Sequence, residues 1–147
     1  MNNLRVMYSS NAIWAKSGYG VQGASLLPRL AELPTINGRE NIANFAWYGS
    51  QGGTHFIDGF KIYPAGIDPY GNDIIQAHSR DFKANVVITL IDAWVLQDIK
   101  NKVAPALWLP WLPIDHYPVP EKVYDAVKDA YLPLTYSKWG SKLLSEA

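Results

Sequence analysis

The segment Val86-Val-Ile-Thr-Leu-Ile91 is apolar at five of its six positions, with threonine as the exception. A strand in the middle of a parallel sheet is covered on both faces, so it carries a continuous apolar run rather than an alternation of apolar and polar residues. We therefore predict that this segment is a central strand that anchors a parallel sheet.

Other short apolar, β-branched or aromatic runs lie on both sides of this segment, and they alternate with segments of helical periodicity. This alternation is typical of βα units that build a parallel sheet. We predict strands at residues 4–8, 43–48, 61–63, 86–91, 107–112 and 134–136, and helices at residues 20–33, 73–82, 95–102, 120–130 and 137–147. Residues 49–59 are rich in glycine and polar side chains, which favours a loop or a hairpin-like excursion. The expected fold class is α/β, a Rossmann-like three-layer domain with a mainly parallel sheet.

The composition excludes several classes of function. The 147 residues are 48% hydrophobic, which is the length and apolar content of one compact domain. Equal numbers of basic and acidic residues, 13 of each, give no indication of a nucleic-acid groove or of binding to an anionic membrane. The absence of cysteine excludes disulfides, thiolate zinc sites and cysteine nucleophiles. No signal-peptide pattern and no apolar run of roughly 20 residues is seen, so we expect a soluble, cytoplasmic protein.

A glycine motif, Gly18-Tyr-Gly-Val-Gln-Gly23, opens the first predicted helix. Free N–H groups and the dipole at a helix N-terminus favour phosphate binding, whereas glycines can also serve only to let the chain turn and the helix approach the sheet. Ser17 is in position to cap this helix, a role as well supported as contact with a ligand. A dinucleotide site is disfavoured, because about nine residues separate the strand from the first glycine and the second strand ends in Ala46-Trp-Tyr-Gly49 without an acidic residue.

Several motifs, in their order along the chain, resemble one protein family. A first strand that ends in Tyr8-Ser-Ser-Asn11 is followed by a loop at residues 12–20 and by the helix sequence Leu27-Pro-Arg-Leu-Ala-Glu-Leu33. Together they are similar to the start of retaining, nucleotide-sugar-dependent glycosyltransferases of the group 1, family 4-like type, which have the two-domain GT-B architecture. The resemblance continues through residues 59–66, 87–92, 113–116 and 131–140. It implies that residues 1–147 form the N-terminal, acceptor-side Rossmann-like half of such an enzyme.

The resemblance also implies roles for particular residues. Gly18 and Gly20 would approach the donor diphosphate and the acceptor, His116 would lie near the transferred sugar, and Asp92 would line the acceptor cleft. His116 and Asp92 are therefore the candidate catalytic residues. The alternatives are a surface histidine without a task at His116 and a helix N-cap at Asp92. Ser137 is expected to cap the last helix.

The residues favour the same edge of the sheet independently of the resemblance. Ligands of open parallel sheets bind beyond the carboxyl ends of the strands, and three loops deliver polar or aromatic residues there. We expect these loops to converge on one cleft that binds the substrate and the donor phosphates through Ser17, Gly18, Tyr19, Gly20, Trp14, Trp94 and Asp115. Each aromatic residue of this set would stack on a sugar face, or would instead belong to the core or its rim. Asp115 would otherwise satisfy loop amides.

The family's nucleotide pocket lies in a second, C-terminal domain, for which six predicted βα units in 147 residues leave no room. We therefore expect a fragment that transfers a sugar from a nucleotide-sugar donor to an acceptor hydroxyl only when joined to that domain. No metal is expected, because His55, His78 and His116 lack ligand spacing, and no cofactor besides the nucleotide-sugar co-substrate. The alternative is a stand-alone nucleotide- or phosphate-binding α/β module without catalysis.

Overall fold

The computed structural model describes residues 2–114 and 117–146, and this part of the chain forms seven strands and five α-helices. The strands are β1 (Val6–Asn11), β2 (Ile42–Tyr48), β3 (His55–Ile57), β4 (Phe60–Pro64), β5 (Val86–Leu90), β6 (Leu107–Leu112) and β7 (Leu134–Thr135). The helices are α1 (Gly18–Ala31), α2 (Ile75–Phe82), α3 (Ile99–Val103), α4 (Glu121–Val127) and α5 (Lys138–Ser145). Short 3-10 helices lie at Arg39–Asn41 and Ala93–Val95.

The strands form one sheet in the order β3-β4-β2-β1-β5-β6-β7. Every neighbouring pair is parallel except β3 and β4, which form an antiparallel hairpin at the edge. Without this hairpin strand β3, the order is that of a doubly wound sheet, with a switch point between β1 and β5. The fold class α/β is confirmed, the arrangement is compatible with a Rossmann-like domain, and the predicted central strand lies between β1 and β6.

Both faces of the sheet carry a hydrophobic cluster, because successive side chains of a strand point to opposite faces. Met7 belongs to one cluster and its neighbour Tyr8 to the other. The first cluster includes buried residues of α2, α3 and α4, whereas the second includes Leu27 of α1. The sheet is therefore flanked by helices. Within the described residues, no helix has the length and apolar character needed to cross a bilayer.

Several predicted boundaries need correction. The first strand continues to Asn11 instead of ending at residue 8, so six residues rather than nine separate it from α1. The helix predicted at residues 95–102 is divided, because Asp98 adopts a left-handed conformation (φ 50°) just before α3. The count of six βα units was too high, since the β3–β4 hairpin and not a helix follows β2. That hairpin confirms the excursion predicted at residues 49–59.

Helix α2 packs on the sheet through a histidine. The His78 ring lies 5.0 Å from the ring of Phe45 and 4.7 Å from that of Tyr63, and its Nε2 bonds to the Pro64 carbonyl at 2.9 Å. A carbonyl oxygen can only accept a hydrogen bond, so the Nε2 atom of His78 carries the proton. Burial lowers the pKa of His78, against the opposing influence of the Pro64 bond and of the Asp81 and Asp73 carboxylates. The folded protein therefore favours neutral imidazole.

This packing predicts that the protein loses stability as the pH falls through about 6.5, the ordinary pKa of histidine. Below that value the unfolded chain binds a proton that the folded chain takes up only at lower pH, so acid favours unfolding. The free energy of unfolding, measured with urea at about pH 7.5 and about pH 5.5, should decrease, and the decrease should shrink in His78→Gln. Asp73 and Asp81 also have lowered pKa values, but they change the free energy of unfolding only at more acidic pH, where carboxylates become protonated. An unchanged decrease in His78→Gln would show that another group is responsible.

Candidate functional site

A buried asparagine in β2 shapes the loop that follows β1. Asn44 is fully buried in an otherwise apolar strand. Its side-chain oxygen accepts a hydrogen bond from the Ile13 backbone N–H at 3.0 Å, and its amide nitrogen donates to the Tyr8 carbonyl at 3.3 Å. Buried polar groups that lose a partner are costly, so these bonds hold the loop against the end of the strand.

The same loop ends in a helix cap that depends on a second asparagine. Asn11 donates from its side-chain nitrogen to the Ser17 Oγ at 2.7 Å, and that oxygen also accepts the Gly20 backbone N–H at 3.1 Å. The cap predicted for Ser17 is therefore confirmed. Because both donors are directed at the oxygen, the hydroxyl hydrogen of Ser17 remains able to donate elsewhere.

The three glycines of the motif differ in whether the fold leaves room for a side chain at their position. A Cβ at Gly20 would lie 2.2 Å from the Ala15 carbonyl oxygen, and one at Gly23 would lie 2.7 Å from the Tyr8 ring. These two glycines let α1 approach the loop and the sheet closely, so packing alone accounts for them. A Cβ at Gly18 would meet nothing within 4 Å, and Gly18 has no positive φ. The fold of the described residues therefore does not require glycine at position 18.

The end of β5 brings Asp92 to the same edge of the sheet. Beneath it, Ser10 of β1 donates to the Leu90 carbonyl at 2.7 Å, which ties the ends of β1 and β5 together. Asp92 occupies the N-cap position of the following 3-10 helix, but its side chain makes no capping hydrogen bond. The N-cap alternative is therefore confirmed for the position of Asp92, while its carboxylate forms no capping bond. Asp92 also lines a cleft of about 300 Å³, together with Ala93, Trp94, Pro113, Pro120, Lys122 and Val123.

A group of phenols lies between α1 and the end of β7. The ring of Tyr136 meets that of Trp111 edge to face, with centroids 5.4 Å apart. The Tyr8 hydroxyl donates to the Tyr19 carbonyl at 3.2 Å. Burial raises the pKa of Tyr8 to about 12 and also raises the pKa of Tyr136. Both phenols stay protonated near neutral pH, so they serve as hydrogen-bonding groups and not as bases.

The three aromatic residues predicted to contact the ligand, Trp14, Tyr19 and Trp94, lie at different places along this edge. Trp14 donates from its indole nitrogen to the Gly49 carbonyl at 3.2 Å and lies next to the His55 ring, on the β2 side. Trp94 lies on the β5 side, and Tyr19 packs partly buried against the cluster beneath α1. A second hollow at this edge is lined by residues other than those around Asp92, namely Ala15, Lys16, Tyr48, Gly49, Ser50 and Gln51.

Two of the predicted site residues, Asp115 and His116, lie outside the described residues. Among residues 2–114 and 117–146, no three or more His, Asp or Glu side chains are grouped as a metal site would require. The sequence interpretation missed four residues that shape this edge, Asn11, Asn44, Lys122 and Tyr136. Only Asn44 gave a usable signal, because a polar residue inside an apolar strand must find hydrogen-bonding partners.

The glycine geometry predicts opposite effects of two similar substitutions. Gly20→Ala should lower the free energy of unfolding by about 1–3 kcal/mol, because the new methyl group would overlap the Ala15 carbonyl. Gly18→Ala should be neutral or stabilising by up to about 1 kcal/mol, since alanine favours a helix and the methyl group would meet open space. Urea unfolding of both variants measures the difference. Equal destabilisation by the two would contradict the assignment.

Comparison with known proteins gives no further constraint on this edge of the sheet. No protein-family model, no curated protein and no solved structure matches the chain. The chemistry of the edge therefore has to be inferred from its own residues and from the motif resemblance given above.

Proposed function

We propose that the chain is the acceptor-side half of a GT-B glycosyltransferase, a three-layer Rossmann-like domain that acts with a donor-binding domain. In this role it helps transfer a sugar from a nucleotide-sugar donor to an acceptor hydroxyl. The observation that carries the proposal is Gly18, an exposed glycine at the start of α1 that the fold does not require. A residue without a side chain at this point leaves room for a ligand to approach the backbone.

The chemistry at the start of α1 suits a diphosphate. The first turn of a helix has backbone N–H groups without helical partners, and the helix dipole favours negative charge there. The Ser17 cap satisfies the Gly20 N–H and leaves a hydroxyl hydrogen able to donate. The motif lies next to the switch point between β1 and β5, where ligands of doubly wound sheets bind. These features support contact between the glycine loop and the phosphates of the donor.

Asp92 is proposed to act on the acceptor. The acceptor oxygen forms a bond to the anomeric carbon while the bond from that carbon to the diphosphate oxygen breaks. The acceptor O–H bond also breaks during this step, and its proton passes to the Asp92 carboxylate, which lies just beyond the end of β5 and makes no capping hydrogen bond. The departing diphosphate carries the electrons of the broken bond, and N–H groups at the start of α1 would stabilise that charge.

His116 and the partner domain complete the proposal. By resemblance, His116 is placed near the transferred sugar, where a neutral imidazole can hydrogen-bond to a hydroxyl. The pocket for the nucleotide is assigned to the second domain, so this chain by itself should bind donor phosphates weakly and should not release a nucleoside diphosphate from the donor.

Titration calorimetry with UDP-glucose, GDP-mannose and inorganic pyrophosphate tests this function. At least one of them should bind, and Gly18→Val should weaken binding by about tenfold or more, because the side chain would block approach to the helix. Gly53→Val is the matched control, since a Cβ at Gly53 also meets nothing within 4 Å and Gly53 also lacks a positive φ.

Three results would contradict the proposal. If none of the three compounds binds, or if Gly53→Val weakens binding as much as Gly18→Val, the glycine loop is not the phosphate site. Tight binding of pyrophosphate with no preference for any sugar nucleotide would instead favour a stand-alone phosphate-binding module.

A further inference from the structure

The cleft beyond β5 and β6 has a composition that points to one class of acceptor. On the basis of the proposed function, we propose that this cleft binds a neutral pyranose ring, so that the acceptor is itself a glycoside rather than a lipid alcohol or a hydroxyl-bearing side chain of a protein. The cleft is bounded by Asp92, Ala93, Trp94, Pro113, Pro120, Lys122 and Val123.

Trp94 provides a flat apolar surface that is held in place. The Lys122 Nζ lies 4.6 Å from the centroid of the indole ring, a cation–π contact that favours this orientation of the ring. Trp94 is nevertheless 52% exposed. An exposed, oriented indole suits the C–H face of a sugar ring, because the ring buries apolar area without burying the hydroxyl groups at its rim.

The polar groups of the cleft fit the rim of such a ring. The Asp92 carboxylate, which does not cap the 3-10 helix, can accept hydrogen bonds from two hydroxyl groups. The Lys122 ammonium can donate to a third hydroxyl. Among the described lining residues these are the two charged groups, and their formal charges cancel. A neutral ligand is therefore favoured over a uronate or a phosphorylated sugar.

The same groups argue against a lipid or a protein acceptor. An alkyl chain in this cleft would remove the carboxylate and the ammonium from water without giving hydrogen bonds in return, which is unfavourable. A serine or threonine side chain offers one hydroxyl and no flat face for the indole. The apolar walls formed by Pro113, Pro120 and Val123 match the C–H groups of a ring instead.

NMR of the indole N–H groups during titration with methyl glycosides of glucose, mannose and galactose tests the inference. At least one glycoside should shift the Trp94 signal, with millimolar affinity because one ring buries little area. Trp94→Ala should weaken binding about tenfold or more, whereas Trp139→Ala should leave it unchanged. Trp139 is the matched control, since it is 51% exposed and lies on α5.

A second pair of variants tests the contribution of each charged group to glycoside binding. Lys122→Met keeps the apolar stem but loses the ammonium, and Asp92→Asn keeps the shape but loses the negative charge; each should weaken glycoside binding several-fold. The inference is overturned if no glycoside shifts the Trp94 signal, if Trp139→Ala weakens binding as much as Trp94→Ala, or if glucuronate binds more tightly than the neutral glycosides through Lys122.

These outcomes are distinct from those of the nucleotide titration. Glycoside binding at Trp94 without any nucleotide-sugar binding would support the cleft and contradict the transferase. Nucleotide-sugar binding that depends on Gly18, without glycoside binding, would support the transferase and overturn the acceptor class.

Discussion

A single buried amide, that of Asn44, fixes the backbone on which the candidate site depends. It lies inside β2 with its oxygen on the Ile13 N–H and its nitrogen on the Tyr8 carbonyl, so the loop after β1 cannot move away without leaving buried polar groups unpaired. That loop brings the Ser17 hydroxyl to Asn11, the last residue of β1, and thereby sets where α1 begins. The position of Gly18 at the edge of the sheet follows from these bonds.

The order of the strands decides which groups meet at that edge. The chain leaves β1 towards β2 on one side, and β5, β6 and β7 continue on the other, so the carboxyl ends of β1 and β5 are neighbours. The glycine loop and Asp92 consequently lie on the two sides of one switch point. In the proposed function, phosphates meet the glycine loop and the acceptor meets the Asp92 side.

The sequence predicted what short-range patterns control. The apolar run at residues 86–91 indicated the central strand, and the serines at positions 17 and 137 indicated two helix caps, each confirmed by a bond to the third residue beyond it. What could not be predicted depends on residues distant in the chain. The Asn44 bonds, the contact of Lys122 with Trp94 and the separation of Trp14 from Trp94 arise from tertiary packing, and the left-handed Asp98 interrupts an otherwise regular helical pattern.

Backbone amide NMR of the chain during titration with UDP-glucose and GDP-mannose tests the central claim most directly, because it locates a ligand without any substitution. The account predicts that the largest shift changes occur at residues 18–20 and extend to residues 92–94, at the carboxyl ends of β1 and β5. Changes concentrated at the opposite edge of the sheet, or the absence of any change with either nucleotide sugar, would contradict it.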